Sequence, residues 1–341
     1  MKSIVATAPR PGLPSPELGS MPTLELCLMH QYVTETAGTM NCAQIPLVRD
    51  MWNLSVPQMA FEYKPLLHTL LAVAAVHRAT LLPNDANHLR RVYYSHIDSA
   101  LQQHRAAIND LNGSVNEPMC MNAILISFYT LTLRSEASTD PYELPLLWLS
   151  LAHGIRTVLH TVYRRLTRIH HLVMTPPVID EFTHEYITCT PFQFLLHYHY
   201  DKEQMDGSLI KAYYDAVVYL ETMFMSARRG ASDFEIRKQF TAFPPMMPRC
   251  FLQLIAEKQP RALVILAYLF ALVKNADNVW WLRGIPEREV YGIHSIVPQE
   301  WKWTLDWPLH VISARSGAKA EDLPVPMVGP GPSLTLTFPW S

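Results

Sequence analysis

Apolar residues recur at helical intervals along most of this chain. The clearest case is NDANHLRRVYYSHIDSALQQHRAAINDLNG, where the following positions succeed one another mainly three and four residues apart: Leu89, Tyr93, Ile97, Ala100, Leu101, His104, Ile108 and Leu111. This spacing places their side chains on one face of an α-helix. Asn112-Gly113 is a typical helix end. The pattern therefore predicts a long amphipathic helix.

The same periodicity predicts helices in both halves of the chain. They comprise a first helix in TLELCLMHQYVTET, a dense apolar helix that ends at Pro83, and helices over about Glu117–Leu133, Leu144–Leu166, Ser208–Ala227, Phe251–Glu257, Pro260–Leu282 and Glu287–Ile296. Strict alternation of apolar and polar residues is confined to a few positions, as in the final SLTLTFPWS, a short strand without a partner. The sequence therefore predicts an all-α fold with an apolar core, built as one core or as two closely packed halves.

Composition divides the chain into three parts. Residues 1–20 are rich in Pro, Gly and Ser, cannot bury a core, and are predicted to be a disordered leader. Residues 21–310 carry the helical patterns, and residues 311–341 are predicted to be an irregular tail. Inside the helical part, Thr167–Asp206 is rich in His and aromatic residues, and we expect it to connect two helical layers.

Charge and cysteine usage exclude several classes of protein. The formal net charge is −2, so the excess of Lys and Arg that neutralises phosphates is absent and we expect no direct binding to nucleic acid. The five cysteines form no CxxC pair, which argues against a disulfide framework and a structural zinc site. They are typical of core thiols in a reducing compartment, so we expect the nucleus or the cytoplasm.

Signatures of enzymes and membrane proteins are weak in this sequence. The longest apolar run, Leu263–Val273, is about half a membrane span. GxSxG, GxGxxG, GxxxxGK[ST] and HExxH are absent, so we predict no catalytic residues and no cofactor. HYHYDKE is the best metal-like cluster: on a helix His197 and Asp201 share a face that His199 does not, whereas on a strand all three would share a face that could suit zinc or iron. A further ligand is not evident nearby in the sequence. We therefore predict no metal site.

Five of the eight tryptophans lie between Asn278 and Pro308. Such a cluster is most typical of a helix-packing core, which is the prediction for most of these tryptophans, and the wall of an apolar ligand pocket is the alternative for some of them. Gly284 would permit a tight turn inside it. Met223 and Met225, near the end of a predicted helix, suit either ordinary core filling or a deformable pocket wall. These alternatives stay open from the residues alone.

An ordered set of segments resembles a known family. LELCLMHQYVTETAGTM, MWNLSVPQMAFEYKPLLHTLLAVAAVHRA, YYSHIDSALQQHRAAI, WLSLAHGIRTVL, PRALVILAYLFAL and the tryptophan-rich stretch occur in the order found in the C-terminal regulatory domain of fungal binuclear zinc-cluster transcription factors, of the sterol-uptake-control type. The resemblance covers roughly Leu24–Leu309. It implies a multi-helix regulatory domain with an apolar ligand pocket near its C-terminal end.

The resemblance also implies a ligand and partners. Such domains bind sterol, so the candidate ligand-binding residues are Met223, Met225, Trp280, Trp281, Gly284 and Trp303. Members usually carry six upstream cysteines that hold two zinc ions, and none of the five cysteines here is placed to do so. We therefore expect regulation without direct DNA contact, through a homodimer or through a heterodimer with a complete zinc-cluster factor or a coactivator.

Three functional interpretations remain. The first is a ligand-sensing or partner-binding regulator of transcription, controlling a metabolic or biosynthetic gene set. The second is an enzyme or an apolar-ligand carrier repurposed from the same fold, with His197, Asp201 and the His170-His171 pair as its polar candidates. The third is an incomplete gene model or splice form of an ordinary zinc-cluster activator. The first is the prediction that the sequence favours, and an enzyme is the less expected outcome.

Overall fold

The computed structural model describes residues 21–110, 117–162, 191–197, 206–314 and 325. Within these ranges the chain forms helices and turns and no β-strand, apart from one isolated bridge between Thr139 and Tyr142. The predicted all-α fold is confirmed. The leader 1–20, the final SLTLTFPWS and most of Thr167–Asp206 lie outside the described residues. The chain divides into two compact units, Met1–Leu125 and Ile126–Ser341.

Unit 1 is built from helices joined by short π and 3₁₀ turns. Its helices are α1 (Met21–Gln31), α2 (Pro46–Asp50), α3 (Val56–Glu62), α4 (Lys64–Leu81), α5 (Ala86–Asp110) and the first part of α6 (Glu117–Thr132). One π-helical turn, Tyr32–Thr36, follows α1, and another, Met51–Ser55, connects α2 to α3. The helix predicted from this stripe is confirmed as α5 as far as Asp110, and Leu111 and the predicted end at Asn112-Gly113 lie outside the described residues.

α4 and α5 form the centre of unit 1. α4 begins with Pro at its first turn, and most of its side chains from Pro65 to His77 are buried. Polar contacts fix the pair: the Nδ1 atoms of His68 and His96 lie 3.0 Å apart, and the Tyr63 hydroxyl lies 2.7 Å from Nδ1 of His104. The apolar stripe of α5 is buried at its start, while Ile108 near its end is exposed.

Unit 2 is assembled around one fully buried helix. Its helices are the last part of α6, then α7 (Leu146–Val162), α8 (Phe194–His197), α9 (Gly207–Arg228), α10 (Asp233–Met246), α11 (Arg249–Ala256), α12 (Pro260–Val273), α13 (Ile285–Ile296) and α14 (Asp306–Ser313). Every side chain of α12 from Arg261 to Val273 is buried. A helix that is apolar on all sides requires neighbours on all sides, and α9, α10, α11, α13 and α14 supply them.

The prediction of one helix over Pro260–Leu282 was wrong. α12 ends at Val273, and Lys274–Ala276 form a 3₁₀ turn. Tertiary contacts explain the early end, because the Arg237 guanidinium donates to the carbonyl of Ala276 at 3.0 Å and to Oδ1 of Asn278 at 2.8 Å. These two hydrogen bonds hold the segment that follows α12 against α10.

Two further boundaries differ from the sequence reading. The first residues of the predicted tail 311–341 are helical, because α14 continues to Ser313 with Val311 and Ile312 buried. The periodicity of the sequence did not predict α10, which contains Pro244 and Pro245. Both prolines lie in its last turn, where a helix is about to end. Its start had a readable signal, the capping box formed by Ser232 and Glu235.

Candidate functional site

Trp280 and Trp281 both pack against the ring of Phe128. The ring centroid of Phe128, in α6, is 5.9 Å from that of Trp280 and 5.4 Å from that of Trp281. Trp281 is buried, whereas Trp280 is half-buried. Trp281 is therefore part of the core of unit 2. Trp280 keeps surface that a ligand could contact without opening that core.

The segment after α12 is held in place by charged side chains. Lys274 is buried and pairs with Asp277 at 2.8 Å and also with Glu287. Burial by itself lowers the pKa of Lys274, but the hydrogen bonds and charges of Asp277 and Glu287 outweigh it and hold that pKa above its ordinary value. These contacts position the segment that carries Trp280 and Trp281.

Gly284 ends this segment in a backbone conformation that favours glycine. Its φ is +77°, in the left-handed region, and it is the residue before the first turn of α13. A Cβ here would meet nothing within 4 Å. The reason for glycine is thus the backbone turn and not lack of space. Among the candidate ligand residues, Gly284 shapes the turn beside Trp281.

The other three tryptophans of the cluster belong to a second group of rings. Trp307 stacks on Tyr268 of α12 with parallel planes and centroids 5.1 Å apart. Trp301 is buried beneath the guanidinium of Arg261, which lies 5.7 Å from the Trp301 ring and 5.3 Å from that of Tyr213. Both arrangements are core packing, with a buried arginine stabilised by two aromatic faces.

Trp303 is the accessible member of this second group. Its side chain remains 37% exposed. Its ring lies 5.8 Å from that of Phe194 in α8. Phe194 in turn contacts Tyr268, 6.3 Å away between ring centroids. Trp303 thus packs on the half-buried Phe194, which in turn contacts the buried Tyr268, and an exposed indole supported in this way is an apolar surface of the kind that binds planar apolar molecules.

The two methionines differ in the same way as the tryptophans. Met223 is fully buried in α9, while Met225, two residues later, is 43% exposed. The six candidates therefore divide by accessibility. Met225, Trp280 and Trp303 keep exposed surface; Met223 and Trp281 are core residues; and Gly284 forms a turn. The ring contacts place Trp280 with Trp281 at Phe128, and Trp303 at Phe194.

Sequence reasoning missed a buried ionic cluster in unit 2. Glu289 of α13 is completely buried, and its carboxylate accepts hydrogen bonds from Arg134 at 2.8 Å, Arg288 at 2.6 Å and the Tyr142 hydroxyl at 2.7 Å. The neighbouring carboxylate and burial raise the pKa of Tyr142, with burial the larger cause. The sequence does contain a pattern that indicates this cluster. Glu289 lies on the same helical stripe as the buried Ile285 and Ile293, and a charged side chain on a buried stripe requires partners.

The residues proposed for the enzyme interpretation are not assembled by the described structure. His197 ends α8, while His199, Asp201 and the His170-His171 pair lie outside the described residues. In the ranges that the structure covers, there is no group of three His, Cys, Asp or Glu side chains arranged to hold a metal ion. No described arrangement favours catalysis over ligand binding.

Part of the chain matches a known family model. Residues 27–182 match the family model described as the fungal specific transcription factor domain. The chain is similar to a Zn(2)-C6 fungal-type transcription factor of Gibberella zeae, with 29% identity over 88% of this chain and 64% of the relative. A Zn(2)-C6 fungal-type transcription factor of Aspergillus fumigatus is 29% identical over 75% of this chain and 69% of the relative.

A sterol uptake control protein is also similar to the chain. Sterol uptake control protein 2 of Candida albicans is 24% identical over 77% of this chain and 39% of the relative. The chain thus spans less than two thirds of the length of the first of these relatives and well under half of the sterol uptake control protein. The fungal specific transcription factor domain and its relatives support a transcription regulator-like function. None of the described helices is long and apolar enough to cross a membrane.

Proposed function

We propose that this fungal specific transcription factor domain controls transcription in response to an apolar small molecule such as a sterol, and that it acts through a protein partner. The chemical class of the ligand is supported by the similarity to a protein named for sterol uptake control. The residues proposed to contact the ligand are Met225, Trp280 and Trp303, with Met223, Trp281 and Gly284 supporting them. The gene set proposed is metabolic or biosynthetic, and the proposed place of action is the nucleus.

The observation that carries the ligand proposal is the exposed face of Trp303. Most aromatic side chains of unit 2 near it, including Tyr268 and Trp307, are buried against each other. Trp303 contacts this buried group through Phe194 and still presents more than a third of its surface. An apolar ring system packed on it would bury apolar area on both molecules.

A ligand would act by selecting one arrangement of the helices. Trp303 lies in the 3₁₀ turn Gln299–Leu305, which leads directly into α14, and α14 packs on α12 and α13. A molecule that binds one position of this turn more tightly than another shifts the population toward that position. The surface that a partner chain, either a complete zinc-cluster factor or a coactivator, recognises would change with it.

Direct binding tests the ligand part of this proposal. The purified chain is titrated with a fluorescent sterol, and Trp303→Ala is expected to weaken binding about tenfold, since a large contact area is removed. Tyr291→Ala is the matched control, because Tyr291 is an exposed aromatic residue of α13, 52% exposed. Equal affinity of Trp303→Ala and the unmodified chain would reject Trp303 as a ligand contact.

A reporter measurement tests the regulatory part. The chain is fused to an unrelated DNA-binding module in fungal cells, and reporter output is followed while the sterol supply is changed. We expect output to change with sterol supply in the unmodified fusion and to respond less in the Trp303→Ala fusion. A reporter that is unaffected by the fusion at every sterol level would overturn the proposed function.

A further inference from the structure

The amide side chain of Asn278 joins two charged residues of α10. Its Oδ1 accepts a hydrogen bond from the Arg237 guanidinium at 2.8 Å, and its Nδ2 donates to Oδ2 of Asp233, also at 2.8 Å. A guanidinium only donates and an ionised carboxylate only accepts, whereas an amide does both. Asn278 therefore satisfies both neighbours at once and forms a bridge between two residues that lie four apart on α10.

The two α10 residues can also pair with each other. Asp233 and Arg237 carry opposite charges at positions i and i+4, which is the spacing of a helical ion pair. When Asn278 withdraws, that pair replaces the two hydrogen bonds of the bridge. Asn278 and Asp233 are exposed, so water also reaches the side chains as they separate. The bridge can therefore open and close without leaving a buried charge uncompensated.

Asn278 belongs to a compact turn that carries Trp280. The turn comprises Asp277–Gly284, and we call it the 277–284 turn. Inside it the Arg283 amide donates to the carbonyl of Val279 at 3.0 Å. Because the turn is closed by its own hydrogen bond, it keeps its shape, and a contact at Asn278 helps to set where the Trp280 ring lies.

The burial of its neighbours lets Trp280 respond to this contact. Trp281 and Leu282 are 1% and 0% exposed, so they hold the end of the 277–284 turn in the core. Trp280 is half-buried, and its ring meets the Phe128 ring edge-on with centroids 5.9 Å apart. A shift of the segment between Asn278 and Trp281 thus changes how Trp280 is presented to solvent without opening the core.

We propose that Asn278 is a positioning residue for Trp280, and that its bridge to Asp233 and Arg237 is a latch with a closed and an open state. The closed latch fixes the exposed part of Trp280, and the open latch releases the 277–284 turn from α10. This inference rests on the proposed function, in which Trp280 contacts the ligand, and adds how that contact is regulated. A ligand on Trp280 favours the closed latch, and the closed latch favours ligand binding by the same factor.

A fluorine signal from Trp280 tests the latch without any ligand. The full chain is produced with 5-fluorotryptophan, and the Trp280 signal is assigned with Trp280→Phe. Asn278→Ala and Asp233→Ala are each expected to move this signal, whereas Asp233→Asn, which keeps an acceptor for the amide, is expected to leave it in place. The double variant is expected to match Asp233→Ala combined with no further shift, because either change alone opens the same latch.

The control for these variants comes from the same turn of α10. Glu235→Gln removes an exposed carboxylate there but keeps a side chain that completes the capping box, so the Trp280 signal is expected to stay in place. A Trp280 signal that does not move in Asp233→Ala overturns the latch. Additive shifts in the double variant overturn it as well, since they mean that Asn278 and Asp233 act separately.

Sterol titration measures the consequence for the ligand. If the closed state falls to about a fifth of the population, the apparent dissociation constant rises about fivefold. We expect this rise for a fluorescent sterol in Asn278→Ala and in Asp233→Ala, and no rise in Asp233→Asn. Unchanged affinity in every variant whose Trp280 signal moves contradicts the regulatory role. An unmodified chain that binds no sterol rejects the proposed ligand function, while the Trp280 signal still decides the latch.

Hydrogen exchange tests the coupling in the opposite direction. The Ile236 amide donates to the carbonyl of Ser232 at 3.1 Å, in the first turn of α10. Saturating sterol is expected to slow the exchange of this amide about fivefold in the unmodified chain and to leave it unchanged in Asn278→Ala. Sterol binding without slower exchange in the unmodified chain overturns the coupling and leaves the proposed ligand function intact.

Discussion

Tyr142 lies so close to Gly292 that a Cβ atom at position 292 would meet two carbons of its ring at 2.1 Å. Gly292 is in α13, one turn after Glu289, which accepts the hydrogen bond of the Tyr142 hydroxyl at 2.7 Å. The ring and the hydroxyl of one residue are thus both fixed by α13. Arg288 adds to this contact, with its guanidinium 5.6 Å from the Tyr142 ring.

Gly292→Ala is expected to destabilise the chain. The added methyl group forces the Tyr142 ring away from α13 and strains its bond to Glu289, at a cost of about 1–3 kcal/mol. Gly154→Ala is the matched control, since Gly154 is also helical but has nothing within 4 Å of the added Cβ. There we expect a gain of about 0.5–1 kcal/mol from helix propensity. Urea unfolding of both variants measures the two free energies, and equal values would contradict the close packing.

Glu289→Gln is expected to be far more costly than the loss of a surface carboxylate. It leaves Arg134 and Arg288, with side chains 11% and 7% exposed, without their counter-charge, at a cost of about 3–5 kcal/mol. Asp215→Asn removes an ion pair with Lys211 whose side chains are 35% and 73% exposed. That change is expected to cost less than about 1 kcal/mol. Thermal unfolding compares them, and a Glu289→Gln variant as stable as Asp215→Asn would refute the cluster's importance.

Gly284→Ala tests the left-handed turn before α13. Because φ is +77° there and alanine disfavours this region, we expect a loss of about 1 kcal/mol although the site is open. Gly207→Ala, at an equally open glycine at the start of α9, is not expected to show this loss. The sterol affinity of Gly284→Ala is measured in parallel. If Gly284→Ala is as stable as the unmodified chain, a side chain at position 284 does not strain the turn.

The pair of His68 and His96 predicts a loss of stability in acid. Burial, followed by the charge of His68, lowers the pKa of His96 to about 4, and burial also lowers the pKa of His68. The Nδ1 atoms are 3.0 Å apart, so one must donate and the other accept, and a second proton removes the acceptor.

The sign of this pH dependence follows from the direction of the shift. Between pH 6.5 and about 4 the unfolded chain binds protons at His96 that the folded chain does not, so stability falls as the pH falls through this window. One such group contributes at most about 1.4 kcal/mol per pH unit. Denaturation midpoints measured from pH 7 to pH 4 should decline less steeply in His96→Gln. Identical profiles for this variant and the unmodified chain would count against the pair.

Helices with a clear apolar period were predictable almost to their ends. Ser208–Ala227 was predicted where α9 runs from Gly207 to Arg228, and Glu287–Ile296 where α13 runs from Ile285 to Ile296. The errors occurred where contacts distant in sequence override the local pattern. Arg237 of α10 engages Ala276 and Asn278, beyond the end of α12, and no periodicity in Pro260–Leu282 indicates that contact.

The sequence alone determined the helical class, the approximate bounds of most helices and the resemblance to fungal transcription regulators, because helical periodicity and residue order are local properties. Only the tertiary structure decided which tryptophan side chains are buried and which are exposed to solvent. Trp281 is buried and Trp303 is exposed, although both lie in the same aromatic stretch. The burial of Glu289 was also decided there. Its partners Tyr142 and Arg134 are 147 and 155 residues away along the chain, and only folding brings their charges and hydrogen bonds together.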